Sequence, residues 1–318
     1  MRNGERSITR GIADIDQGVP DAGQAMRTAQ ESTVRLRNPD VSNGTLYRLS
    51  AFSSDPGGGN PAGVWIGMQL PDASTMQQIA AQVGYSETAF IAPEHATERV
   101  VRYYSPQAEV PFCGHATIAS GVLLGEIDGD AVYRLSTRAG LVPVSVETKN
   151  GVREAALTSV TPRSAAIPEP LLDQILGLLQ WSHNDMDPAI PPILAYAGAW
   201  HLVLATKTRE RLADLDYPFD ALRILMLAND LTTLQLVHRQ SEKTYLSRNP
   251  FPVGGIVEDP ATGAAAAAFG GYLRDSGLLV APASFVIEQG DMIGRPSRIH
   301  VDIPTHGGII VRGTAVRL

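Results

Sequence analysis

One cysteine, Cys113, stands in a chain of 318 residues. An internal disulfide is thereby excluded, and so is a four-thiolate metal site. The seven histidines are scattered without ligand spacing, so no metal is expected. No run of roughly 18–20 consecutive apolar residues occurs, which removes a membrane-spanning helix. Basic residues number 26 against 33 acidic ones, for a net charge of −7, and no Lys/Arg run is present. A nucleic-acid partner, which needs a basic face, is not expected. The Gly57–Gly59 run is not followed by Gly-Lys-Ser/Thr, and the spacing of a dinucleotide fingerprint is missing. A Gly-x-Ser-x-Gly elbow for a serine hydrolase is also missing. The first residues, Met1 to Arg6, contain no apolar core of secretory type, and a cytoplasmic protein is expected.

What is present is ordinary for a globular chain, with a hydrophobic share of 44%. Residues 1–44 differ from the rest. They are rich in Arg, Asp, Gln, Asn, Gly and Thr without an amphipathic period, and read as a flexible extension with room for a short helix near Ala22–Glu31. From Leu46 the pattern changes. Residues 46–52 alternate as a strand does, 56–61 is a Gly/Pro loop, and 62–67 reads as a second strand. A helix is expected over 74–83, strands over 87–92 and 99–104, a small-sided apolar helix over 116–124, and strands over 131–137 and 141–148. After the turn-rich junction 162–170 comes a similar plan. It has a helix near 171–179, strands, a second small-sided helix over 263–275 with five alanines at 264–268, and strands over 283–288, 297–303 and 308–317. A helix without a polar face is usually enclosed, and strands wrapped around it would enclose it.

Four segments carry chemistry. They are Gly59-Asn60-Pro61-Ala62-Gly63-Val64, Tyr85-Ser86-Glu87-Thr88-Ala89-Phe90, Glu109 to Thr117 with Cys113-Gly114-His115 at its centre, and Glu258-Asp259-Pro260-Ala261-Thr262-Gly263. Glu87 is a carboxylate followed at once by strand-like apolar residues; it is either a solvated strand end or, partly buried, a proton carrier. Phe90 and Phe112 are candidates for its apolar wall. Gly114 allows a tight turn into the first enclosed helix, whose free N–H groups and dipole suit a carboxylate. His115 is a proton relay or a capping histidine. Asp259 with Thr262 and Gly263 makes a turn and N-cap before the second enclosed helix. Asn60 is a turn residue that can also line a cleft. Arg248 either helps to hold a carboxylate or belongs to a surface pair.

Together these segments resemble the signatures of the phenazine-biosynthesis isomerase-like family. Gln289-Gly290 and Gly294-Arg295-Pro296-Ser297 resemble that family's late motif. The likeness covers roughly residues 46–318 in order and spacing. It implies an α+β protein of diaminopimelate-epimerase-like fold, with two similar domains, each an antiparallel β-roll around a central helix. Their limits would be 45–160 and 161–307, with the last strand, near 308–318, crossing back to the first. It implies that Glu87 is a general acid/base, that Asp259 orients the substrate and shares protons with His115, and that Asn60, Gly114, Thr262, Gly263 and Ala264 line the substrate site between the domains. It implies a cofactor-independent isomerase acting on a small carboxylate, such as a natural-product intermediate, in a homodimer. A binding protein of the same fold without catalysis is the alternative.

Two features bound that expectation. The parent fold also hosts racemases that use one thiol on each side of the substrate; with a single cysteine that chemistry is excluded by count. Cys113 then reads as a small packing residue. The family's namesake has a serine directly after Thr-Gly, where this chain has Ala264, so a hydroxyl contact to substrate is lost and the substrate class is open.

Overall fold

The helix expected at 116–124 runs from Gly114 to Asp128 and is buried without interruption from His115 to Gly125. A helix of that kind needs walls on every side. They are supplied by one mixed sheet of seventeen strands in a computed structural model that describes residues 44–318. The extension expected over 1–44, with its short helix, lies essentially outside the described residues.

The first run of strands is β1 (Gly44–Ala51), β2 (Asn60–Gly67), β3 (Glu87–Pro93), β4 (Glu98–Tyr104), β5 (Glu109–Val110), β6 (Val132–Thr137), β7 (Gly140–Lys149) and β8 (Val152–Thr158). Between them lie α1 (Ala73–Val83) and α2 (Gly114–Asp128). The second run is β9 (Arg163–Ala165), β10 (Ile193–Tyr196), β11 (Trp200–Ala205), β12 (Thr233–Ser241), β13 (Thr244–Arg248), β14 (Ala283–Gln289), β15 (Ser297–Ile303), β16 (Ile310–Gly313) and β17 (Ala315–Arg317). Its helices are α3 (Glu169–Leu178), α4 (Arg209–Ala213), α5 (Phe219–Ala228) and α6 (Gly263–Asp275).

Followed by pairing, the strands form a continuous path: β17–β1–β2–β3–β4–β6–β7–β8–β16–β15–β14–β13–β12–β11–β10–β9, with β5 on the same edge of β4 as β6. The sheet is not purely antiparallel. Four pairs are parallel: β2/β3, β4/β6, β11/β12 and β13/β14. Each is joined through a helical crossover, by α1, α2, α4 with α5, and α6 in turn, because parallel neighbours cannot be linked by a tight turn. The two runs thus repeat one plan. The chain's end is divided between them. The single strand expected over 308–317 breaks at Thr314, whose carbonyl accepts the Phe52 N–H at 2.8 Å; β16 pairs with β15 and β8, and β17 with β1.

Helix α2 packs inside β1, β2, β3, β7, β8 and β17, and α6 inside β9, β10, β11, β12, β15 and β16. Small residues permit this. A Cβ on Gly121 would stand 2.8 Å from both Ala155 Cβ and Val144 Cγ1, so the helix axis lies closer to the sheet than an alanine allows. The helices' polar side chains are satisfied internally: the Thr117 hydroxyl donates to the Cys113 carbonyl at 2.6 Å, and the Ser120 hydroxyl to that of Ala116 at 2.6 Å. The inner faces of both runs and both helices share one apolar core, from Leu49 to Val311. Outside, α1 covers Trp65, Phe90 and Tyr104, and α3 and α5 cover Leu202, Leu204, Leu234 and Leu236. Among the described residues, no helix is long and apolar enough to cross a membrane.

Candidate active site

The helix ends differ. At α1 the Asp72 side chain caps the Thr75 N–H at 2.9 Å, and Gly84 closes the other end in the left-handed region. At α2 and α6 the N-cap residues are Cys113 and Thr262, and neither makes a side-chain cap bond; no acidic residue lies in either first turn. The positive ends of the two enclosed helices are therefore not closed by a side-chain oxygen of their N-cap residues. They also meet. The nearest atom to a Cβ built on Gly114 is the Ala264 nitrogen, at 4.0 Å. Gly114 was expected for a tight turn, but its φ is not positive and its missing side chain meets no obstacle. What the glycine does is leave open the gap between the two helix ends. At Gly263, by contrast, an added Cβ would touch Phe52 Cζ at 3.4 Å, an ordinary packing contact.

Glu87 is the first residue of β3 and its side chain is 17% exposed, while Thr88 to Ala92 behind it are buried. Its Oε2 lies 3.5 Å from His115 Nε2 and 3.5 Å from Cys113 Sγ. The Ser86 hydroxyl stands 3.3 Å from the same His115 nitrogen, and Cys113 Sγ is 3.4 Å from His115 Nδ1. These are long contacts, so the carboxylate and the ring are adjacent without being locked together. Burial, together with the charges of Glu87 and Asp259, pushes the Cys113 thiol well above its usual range, against the pull of the Ala116 N–H. Cys113 therefore stands as a neutral thiol, in keeping with a packing role.

Asp259 is held much more tightly. One carboxylate oxygen accepts the Asn60 amide at 2.8 Å and the other the Thr262 hydroxyl at 2.7 Å. Its backbone N–H donates to the Asn249 carbonyl at 2.9 Å, and its own carbonyl accepts Gln289 Nε2 at 2.7 Å. Burial pushes its carboxyl up to about 6; the Glu87 charge acts in the same direction, while His115, Thr262 and Asn60 oppose it. Asp259 thus feels both Glu87 and His115, and the three segments from β3, α2 and α6 share one site. Asn60, at the start of β2, joins it through Asp259 and through the Ala261 carbonyl at 3.0 Å.

Two expectations need correction. Phe90 is not a wall of the site. On a strand Glu87 and Phe90 point to opposite faces, and Phe90 is buried under α1 beside Trp65 and Tyr104. Phe112 remains close, packed edge-on against Tyr103 with ring centres 5.9 Å apart. Arg248 is committed elsewhere: its guanidinium is buried against Glu258, with Nε 3.1 Å from both carboxylate oxygens, and Nη1 donates to the Ala213 carbonyl. It is neither a carboxylate clamp nor a surface pair. His115, Cys113 and Glu87 bring three polar side-chain atoms within 4.8 Å of one another.

One residue quoted only as part of a motif proves central. Gln289, at the end of β14, is buried. Its Nε2 donates to the Asp259 carbonyl and to the Thr262 hydroxyl at 3.0 Å, and its Oε1 accepts the Thr262 N–H at 3.3 Å. The only sequence sign is an amide at the end of a strand whose neighbours alternate apolar. Surface clefts of 780 Å³ beside Gly44 and Met68, of 570 Å³ beside Lys243 and Asp302 and of 530 Å³ beside Phe52 and His300 are not lined by Glu87, His115 or Asp259.

The sequence model of the family described as phenazine biosynthesis-like protein matches residues 49–318. The chain belongs to that family. An uncharacterised isomerase of Bacillus subtilis, YfhB, is 30% identical over 286 residues, covering 85% of this chain and 95% of the relative. The Escherichia coli K12 isomerase YddE, also uncharacterised, is 29% identical, covering 86% of this chain and 96% of its own. Among solved structures, a predicted epimerase of Pseudomonas aeruginosa superposes with a TM-score of 0.76 at 24% identity, over 87% of this chain and 97% of its own. The structure of a protein described as a probable proline racemase from Agrobacterium radiobacter, at 14% identity and TM-score 0.59 over 86% of this chain and 90% of its own, shares the fold. The α+β, epimerase-like fold class is thereby established, and the family's relatives carry isomerase and epimerase names.

Proposed function

We propose that the protein is a cofactor-independent isomerase that moves a proton on a small carboxylate, with Glu87 as the general acid/base. The observation that carries this reading is the placement of Glu87 and His115, 3.5 Å apart, beside two helix N-termini that their own N-cap side chains leave open. The N–H groups of those termini attract a carboxylate of the substrate, with Gly114, Thr262, Gly263 and Ala264 around it. Glu87 removes a proton from an activated carbon next to a carbonyl or double bond. The electron pair delocalises into that system, and the proton returns at another carbon or on oxygen, which leaves a double-bond or keto/enol isomer. His115 relays the proton. Asp259, with a carboxyl near 6, exchanges one with it and fixes Asn60 and Thr262 at the rim. Thr262 occupies at α6 the N-cap position that Cys113 occupies at α2, so a second thiol is missing where a two-thiol reaction would need it.

The test is deuterium wash-in. Wild-type protein and Glu87→Gln are incubated in D2O with β,γ-unsaturated carboxylates and 2-oxo acids, and label at carbon is read by NMR. Wild type is expected to exchange at least one of these substrates, and Glu87→Gln to slow that exchange by about 10²–10⁴-fold. Exchange by Glu87→Gln at the wild-type rate rejects the reading.

A further inference from the structure

Two stretches of the sequence have no part in the acid/base chemistry: the glycine run Gly57–Gly59 and the segment Gly294–Ser297. They are each other's partners. The Arg295 guanidinium crosses from the second strand run to the first. There its Nε donates to the Gly59 carbonyl at 2.8 Å, and its Nη2 donates to the Ser50 hydroxyl at 3.0 Å and to the Gly58 carbonyl. The buried Ser50 hydroxyl donates to the same Gly58 carbonyl at 2.5 Å, and the Gly59 N–H returns a bond to the Pro296 carbonyl at 3.0 Å. Glycine permits this approach. A Cβ on Gly58 would collide with the Pro296 carbonyl, and Gly59 has a φ of +72° and a Cβ position 2.5 Å from the Ala51 carbonyl oxygen. The Arg295 loop is in turn fixed against the turn that carries Asp259. The Arg295 N–H donates to the Gly290 carbonyl at 2.9 Å, and Gly290, at a φ of +83°, fits between the carbonyls of Arg295 and Pro260.

Among the described residues, every side-chain hydrogen bond of Arg295 goes to a neutral oxygen. A half-buried cation without a carboxylate costs stability unless its donors are well used, and here the planar fork spans two successive carbonyls. The residue after them is Asn60, whose amide holds the Asp259 carboxylate at 2.8 Å and the Ala261 carbonyl at 3.0 Å. One peptide unit and one side chain therefore separate the guanidinium's acceptors from Asp259. We propose that Arg295 is a positioning residue: it fixes the Gly58–Gly59 turn so that the Asn60 amide points at Asp259. A lysine cannot replace it, because a single ammonium keeps the charge and loses the fork. The role concerns how Asp259 is held and goes beyond the acid/base reading.

The experiment follows the Asp259 carboxyl by ¹³C NMR titration of the full-length chain, so no substrate is needed. The set is wild type, Arg295→Lys, Arg295→Met, Asn60→Ala and the double variant Arg295→Met with Asn60→Ala. Glu87 and His115, which also bear on Asp259, stay in place throughout. Arg295→Met and Arg295→Lys are both expected to raise the titration midpoint by about half a unit or more, in the direction of Asn60→Ala. In the Asn60→Ala background Arg295→Met should add less than about half of its own shift, since both act through one contact. A wild-type midpoint in Arg295→Met overturns the proposal, and so does full additivity with Asn60→Ala. A shift in Arg295→Met that is missing in Arg295→Lys overturns it as well, because charge and not placement would then be the cause. Should the variants fail to fold, wild type decides. The Arg295 Nε–H is expected to exchange with solvent at least about tenfold more slowly than that of Arg298, whose side chain is 70% exposed, and equal rates overturn the proposal. All of these readouts hold whether or not Glu87 moves a proton.

Discussion

Asn60 and Asp259 stand 199 positions apart in the chain and are joined by a 2.8 Å hydrogen bond in the buried centre of the site. The same Asn60 amide reaches the Ala261 carbonyl, so one side chain from the start of β2 holds both ends of the turn that leads into α6. Its removal leaves two buried acceptors without a donor, one of them charged. Asn60→Ala is expected to destabilise the fold by about 2–3 kcal/mol at neutral pH, read from the urea midpoint. It should also move the Asp259 carboxyl further above about 6, because the amide is one of the groups that hold it down. A carboxyl ¹³C titration in wild type and Asn60→Ala, assigned with Asp259→Asn, checks that shift.

The raised carboxyl of Asp259 sets a pH dependence whose sign is fixed. In the unfolded chain the group releases its proton near 3.8, and in the folded protein near 6. Between these values the folded state holds a proton that the unfolded state has lost, so stability is fully present below about 4 and falls as pH rises through about 6. The loss is of order 3 kcal/mol for a shift of this size. Asp259→Asn removes the titration while its amide can still serve Asn60 and Thr262. Its stability is expected to change less between pH 4 and 7 than that of the wild type, measured by chemical denaturation at each pH. Equal slopes would mean that Asp259 does not carry the shift.

Much of this site was legible because its residues come in short local groups. Glu87 begins a strand, and His115 and Thr262 begin helices whose apolar composition marks them as enclosed. What failed needed tertiary knowledge. Phe90 is three positions from Glu87, and an odd spacing on a strand sends it to the opposite face. The partner of Arg248 is Glu258, ten residues on, brought back by the bridge between Pro250 and Glu258 that no local pattern announces. The last strand reads as one run because alternation continues through Thr314; the break there depends on Phe52, more than 260 positions away. The closeness of Glu87 to Cys113 and His115 escaped for a related reason, since Glu87 reaches them from another strand.

Gln289 binds the turn from below, and its three bonds reach two backbone groups and the Thr262 hydroxyl. A leucine of similar size would leave the Asp259 carbonyl and the Thr262 N–H without partners in a buried place. Gln289→Leu is expected to cost about 2–4 kcal/mol in urea unfolding. Gln289→Glu keeps the acceptor for Thr262 but turns a carboxylate oxygen toward the Asp259 carbonyl in a buried place, and at neutral pH it should cost at least as much as the leucine. Any exchange activity found for the wild type should drop in Gln289→Leu through a lower rate constant rather than through weaker substrate binding, because Gln289 is buried behind Asp259 and Thr262 and acts by positioning them.

The enclosed helices make a last, purely steric forecast. Alanine is the better helix former, by about 1 kcal/mol over glycine, so Gly→Ala inside a helix normally stabilises. In α2 that gain is opposed by Ala155 and Val144, each 2.8 Å from the added methyl, and in α6 by Pro162, whose Cβ would stand 2.3 Å from a methyl on Gly271. Overpacking of a filled core costs about 1–3 kcal/mol, which exceeds the gain. Gly121→Ala is therefore expected to lower stability slightly and Gly271→Ala clearly, because a proline ring fixed in the chain cannot swing away as a valine methyl can. Thermal melts of the two variants side by side test the order. A Gly271→Ala protein as stable as the wild type would mean that α6 can move away from the junction before β9, and that the two strand runs are less tightly joined there than the packing implies.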